Sequence, residues 1–153
     1  DRPRHLELIS EIRAAGAGTR LLLDGDVAGG IQAATYESRI DMCVGVGGSP
    51  EGIVTACAIK ALGGLVQGIL MPQNEIERDR GIASGLKMDY VYEAHELVRS
   101  DNTFFVATGV TDGGLVQGVK RKGPIIRTES VIIRGRSGTI RRVIADHKAE
   151  RWL

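Results

Sequence analysis

An α/β fold, with a mostly parallel sheet extended by antiparallel strands, is what the sequence predicts. Over the first two-thirds of the chain, stretches of helical periodicity alternate with short apolar runs, the order expected of successive βα units. From Asn102 onward the pattern changes to β-rich runs separated by glycine-containing turns. Composition agrees: 21 glycines and only 4% aromatic residues favour close backbone packing and tight turns over stacking surfaces for bases.

Each element has a local cause. Leu6, Leu8, Ile9 and Ile12 form a helical stripe that ends at Gly16-Ala17-Gly18, and Asp1 and Pro3 are placed to start it as N-cap and first-turn residues. Arg20 to Leu23 reads as a short strand, followed by a helix from Val27 to Ala34 that Gly29 and Gly30 weaken. Asp41 to Val46 reads as a buried strand. A helix from Pro50 to about Leu62 follows, with Ser49 as its N-cap. Leu65 to Leu70 is a further strand candidate, Asn74 to Ser84 a charged helix and Glu93 to Val98 a short one. Thr103 to Val110, Val116 to Arg121, Ile125 to Ile133 and Thr139 to Ala145 are the closing strands.

The bulk properties exclude several classes. A chain of 153 residues suits one domain with its own core, and 42% hydrophobic with 25% charged residues is ordinary for a soluble protein. A formal net charge of +1 offers nothing to attract nucleic acid or an anionic membrane, and no apolar run is long enough to span a bilayer. Cys43 and Cys57 sit in apolar segments and read as reduced core filler, which points to the cytoplasm. His5, His95 and His147 show no metal-ligand spacing. The opening Asp1-Arg2-Pro3-Arg4-His5 has no initiator Met and enters a helix almost at once, so the chain is expected to be a piece of something longer.

The informative segments are two loops, Leu23-Asp24-Gly25-Asp26 and Val46-Gly47-Gly48-Ser49-Pro50-Glu51-Gly52. Each lies between an apolar run and a helix. Glycines let backbone approach a phosphate, a helix N-terminus presents unpaired N–H groups, and carboxylates bind a cation or sugar hydroxyls. Such loops converge on one edge of an open sheet if their strands are neighbours. Residue by residue, blander readings stay open. The Asp-Gly-Asp acids are also good helix-start residues, and Arg2 and Arg4 could be either phosphate donors or solvated terminal charges. The basic run Lys120-Arg121-Lys122 reads as surface charge. A nucleotide site is disfavoured, because Gly45-x-Gly47-Gly48 is not G-x-G-x-x-G and no Walker-type motif occurs.

Taken together, Asp1-Arg2-Pro3-Arg4-His5, Asp24-Gly25-Asp26-Val27-Ala28 and Gly45-Val46-Gly47-Gly48-Ser49-Pro50-Glu51-Gly52 closely resemble the class II fructose-1,6-bisphosphatases. The likeness continues through Ser100-Asp101-Asn102-Thr103-Phe104-Phe105-Val106-Ala107-Thr108-Gly109-Val110-Thr111 and Thr128-Glu129-Ser130-Val131-Ile132-Ile133-Arg134, and weakens between Met71 and Leu86. The resemblance implies the lithium-sensitive sugar-phosphatase fold, with α/β/α/β/α layers. It also implies removal of the 1-phosphate of fructose 1,6-bisphosphate with Mn²⁺ or Mg²⁺, in gluconeogenesis, glycerol metabolism or Calvin-type carbon metabolism. Some members also act on sedoheptulose 1,7-bisphosphate, and members often form homo-oligomers. Carried over by position, Arg2, Pro3 and Arg4 match one substrate-binding segment, Asp24, Gly25 and Asp26 a second, and Gly48 a third contact; Glu51 matches a metal ligand.

The same resemblance places most metal-binding acids, and the groups that activate the attacking water, in an N-terminal half with no counterpart here. A two-metal phosphatase needs several carboxylates around ions about 3.5–4 Å apart. Residues 1–153 are therefore expected to be the C-terminal substrate- and metal-binding portion, with little or no activity alone and catalytic residues unassigned. Apolar surface left uncovered by the other half should make the chain prone to aggregate. A non-catalytic phosphosugar-binding module is the alternative the loops allow.

Overall fold

Two helices pack on one face of an antiparallel sheet, and the start of one lies beside the loop that begins the other. The structure is a computed structural model; it describes residues 2–23 and 25–151, so the capping role expected of Asp1 and the position of Asp24 lie outside the described residues. A 3₁₀ turn, Pro3–His5, runs into α1 (Leu6–Ala14). Then come α2 (Asp26–Ala33), α3 (Ser49–Ala61), β1 (Gln67–Ile69), α4 (Glu75–Ala83), β2 (Val91–Glu93) and α5 (Ala94–Leu97). Strands β3 (Phe104–Thr108), β4 (Lys120–Lys122), β5 (Ile125–Arg134) and β6 (Thr139–Lys148) complete the order.

The expected parallel sheet is not formed. Among the described residues every strand pairing is antiparallel: β1 with β2, and β5 with each of β3, β4 and β6. The parallel expectation rested on strands at 20–23 and 41–46, and neither segment enters a ladder. Parallel strands are normally covered on both faces, whereas Leu23 and Met42 here remain about 73% and 69% exposed. The antiparallel part follows from chain connectivity: β5 and β6 are joined by the short turn Gly135–Ser137 and stay in register from Arg134–Thr139 to Ile125–Lys148. The segment expected to be a strand at 116–121 contributes only its end to β4. Residues 109–119 instead fold as a loop closed by Gly113 N–H to Val116 O (3.1 Å) and Val119 N–H to Val110 O (3.2 Å).

The core sits between the helix pair and the sheet. Ile31 from α2 and Ala58 and Ala61 from α3 pack on Phe105, Val131 and Ile133. Phe105 and Ile133 are directly opposed across the β3–β5 ladder, as are Ala107 and Val131, so period-2 alternation puts all four on the helix side. The other face carries Phe104 and Val106, each about 60% exposed, with the Arg134 guanidinium stacked 4.1 Å from the Phe104 ring centre. β5 and β6 are further joined by a two-point ion pair, Arg127 Nε and Nη2 each 2.7 Å from an Asp146 carboxylate oxygen.

The glycines that weaken α2 as an isolated helix explain its placement. A Cβ on Gly29 would lie 2.5 Å from Leu22 Cδ1, and one on Gly30 would lie 2.6 Å from Thr55 Cγ2. Each glycine costs about 1 kcal/mol of helix propensity relative to alanine, and in return α2 sits directly against α3 and the 20–23 segment. Thr55 has little room to yield, because its hydroxyl donates to Glu51 O at 2.8 Å and a rotamer change breaks that bond. Gly30→Ala should therefore destabilise the chain by about 1–3 kcal/mol despite its better helix propensity. A urea melt checks this, and an unchanged or raised midpoint would show that α2 and α3 are not so close.

Candidate functional site

The site is assembled around one half-buried backbone unit, Val46. Arg4 donates from Nε to Val46 O at 2.8 Å, and Val46 N–H donates to His5 Nε2 at 2.9 Å. Two consecutive residues of the Pro3–His5 turn thus hold both polar groups of one residue 41 or 42 positions away. His5 Nε2 also lies 3.3 Å from Val46 O. Because Arg4 already donates to that carbonyl, the role left to Nε2 is to accept the Val46 N–H.

From Val46 the chain turns directly into the start of α3. A Cβ on Gly47 would be 3.3 Å from Asp26 Oδ2, and a Cβ on Gly48 would collide with the Glu51 carboxylate, which folds back over it. Asp26 is the first residue of α2, entered through Gly25 at φ +89°, a left-handed conformation that favours glycine. The structure therefore brings Arg4, Gly25, Asp26, Gly48 and Glu51 to one loop cluster, with Pro3 opening the same turn as Arg4 and Arg2 extended just before it. Asp24, the remaining predicted contact, lies outside the described residues.

Neither α2 nor α3 has a side-chain hydrogen bond from its N-cap residue, Gly25 and Gly48 respectively. Ser49, expected as the N-cap of α3, is instead its first helical residue. In α4, by contrast, Asn74 Oδ1 accepts from Glu77 N–H at 3.0 Å. Both helix N-termini carry an acid in the first turn, Asp26 in α2 and Glu51 in α3, where a carboxylate favours the helix dipole. Arg4 has no hydrogen bond among the described residues beyond that from Nε, so the outer edge of its guanidinium can present paired donors to a phosphate.

Two features escaped the sequence reading. His5 stands within the quoted motif, yet nothing in its spacing reveals a partner at Val46. Cys43 was expected in the core but is exposed as a residue. Its sulfur would lie 3.4 Å from a Cβ on Gly29, and reduced solvation followed by the negative charge of Asp26 pushes the thiol up from its ordinary pKa. Cys57, half-buried on α3, is closer to the expectation.

The donor set does not by itself fit a divalent ion. Among the described residues no three His, Cys, Asp or Glu side chains gather closely enough to hold one. Glu51 offers one hard oxygen donor at the start of α3.

A family model described as bacterial fructose-1,6-bisphosphatase, glpX-encoded, matches residues 1–147. The chain belongs to the class II fructose-1,6-bisphosphatase family. It is 40% identical over 159 residues to the class 2 fructose-1,6-bisphosphatase of Haemophilus influenzae, covering 95% of this chain and 48% of that relative. Fructose-1,6-bisphosphatase 1 class 2 of Escherichia coli K12 is 37% identical over 163 residues, covering 98% of this chain and 48% of its own length. The chain thus spans about half the length of the curated relatives it matches. No helix among the described residues is long and apolar enough to cross a membrane.

The contact between the two loops is open to a chemical test. Asp26→Asn removes one of the two causes that raise the Cys43 thiol, so its alkylation by iodoacetamide, followed by mass spectrometry, should move to lower pH. Cys57 serves as the internal control. An unmoved Cys43 profile would contradict the placement of Asp26 beside this segment.

Proposed function

We propose that this chain is the sugar-phosphate-binding half of a metal-dependent fructose-1,6-bisphosphatase, its C-terminal half, working on fructose 1,6-bisphosphate in the cytoplasm. The observation that carries this reading is the convergence of Arg4, Asp26, Gly48 and Glu51 around Val46. Arg2 and Arg4, with the starts of α2 and α3, supply N–H donors to a phosphate. The Asp24-Gly25-Asp26 segment offers carboxylates to sugar hydroxyls, and the missing side chain of Gly48 makes room for the Glu51 carboxylate beside the start of α3. These groups bind and orient the ester.

Glu51 is the one metal ligand assigned to this half. A site for Mn²⁺ or Mg²⁺ then requires carboxylates from outside residues 1–153. Bound ions would supply charge stabilisation for the attacking and leaving oxygens. Since that donor set is incomplete here, the chain alone should turn over little or no substrate.

The deciving assay is phosphate release from fructose 1,6-bisphosphate with Mn²⁺. It is run on this chain alone, on the N-terminal half of a related enzyme alone, and on the two mixed. Activity is expected only in the mixture. Glu51→Ala should lower it by more than about 100-fold, because changes merely behind a metal ligand already cost about 10–100-fold. Robust turnover by the chain alone would overturn the proposal.

A further inference from the structure

The Pro3–His5 turn does more at this site than present an arginine. We propose that His5 is a positioning residue whose Nε2 holds the Gly45–Gly48 loop in the shape that exposes Gly48 and the start of α3 to a phosphorylated ligand. The functional half of this inference rests on the phosphate-site reading above; the positional half stands on geometry alone.

Val46 N–H is the only donor its residue has, and it points at His5 Nε2 at 2.9 Å. The carbonyl of the same residue is taken by Arg4 at 2.8 Å, so the two bonds fix the peptide units on either side of Val46 in rotation. Gly45, Gly47 and Gly48 surround it, and glycine-rich backbone has the most conformational freedom to lose. The segment enters no ladder with a strand, so these two bonds take the place of ladder bonds at Val46. The ring also packs beside Gly45: a Cβ there would be 3.5 Å from His5 Cε1 and 3.6 Å from Nε2, ordinary van der Waals contact. The clamp leaves the remaining Arg4 donors facing outward, which is what a phosphate contact needs. His5 acts through Val46 and touches no ligand itself.

Substitutions at His5 separate this role from general packing, because glutamine and asparagine place an acceptor at different reach. Gln Oε1 falls near the position of Nε2, while Asn Oδ1 falls near that of Nδ1 and stops short of Val46. Hydrogen–deuterium exchange of the Val46, Gly47 and Gly48 amides in the whole chain reads the clamp directly. His5→Asn should speed exchange at Val46 by about tenfold, the worth of one hydrogen bond. His5→Gln should restore most of the protection. Equal protection in the parent and both variants would overturn the clamp, as would equal loss in both variants.

A second readout follows the Gly48 amide by NMR during titration with inorganic phosphate. The parent and His5→Gln should show a saturable shift that His5→Asn weakens several-fold. A parent chain with no phosphate-dependent shift would overturn the phosphate-site reading and the functional half of this inference. Equal shifts in the parent and His5→Asn would overturn the role of His5 alone.

Discussion

The proposed site depends on how one peptide segment, around Val46, is held. Its carbonyl and N–H are both satisfied by side chains from a turn more than forty residues away, Arg4 and His5. Half-buried backbone groups need partners, and at Val46 two side chains supply them. Meeting that requirement with the Pro3–His5 turn brings an arginine to the mouth of the same loop that starts α3. The site is thus a by-product of satisfying the backbone, which ties its geometry to the fold.

The second constraint is the closeness of α2 and α3. Gly29 and Gly30 remove the side chains that would hold α2 away from Leu22, Cys43 and Thr55. With the helices in contact, the acid that begins α2 reaches the loop that begins α3. Below them the core is small: Ile31, Ala58 and Ala61 against Phe105, Val131 and Ile133. Many large apolar side chains stay outside it, among them Leu65, Val110 and Ile144, each more than 60% exposed. Apolar surface on this scale fits a chain whose relatives are about twice as long.

Much of this was legible in the sequence. The helical segments from Leu6, Val27, Pro50 and Asn74 lie within a residue or two of α1 to α4, because periodicity and proline at a first turn are local signals. The β5–β6 hairpin was equally legible, since Arg134-Gly135-Arg136-Ser137-Gly138 is turn chemistry between two β-rich runs. The runs at 20–23 and 41–46 misled because an apolar run states only that it wants cover, and whether a neighbouring strand supplies it is a long-range fact. The site was half legible for the same reason. Asp26, Gly48 and Glu51 announce themselves by standing at helix starts, and Arg4 by its motif. The contact of His5 with Val46 has no local signature.

The central claim is that the Pro3–His5 turn sits on the Gly45–Gly48 loop, and the most direct measurement is a set of proton NOEs on the labelled chain. Contacts are expected from the His5 ring to the Gly45 α-protons and to the Val46 amide, since a Cβ built on Gly45 would lie 3.5 Å from His5 Cε1 and Val46 N lies 2.9 Å from Nε2. Their presence would place arginine, glycine loop and helix starts at one point. Their absence, in a chain whose α2–α3 NOEs are intact, would mean that the turn lies elsewhere and that these residues do not form one site.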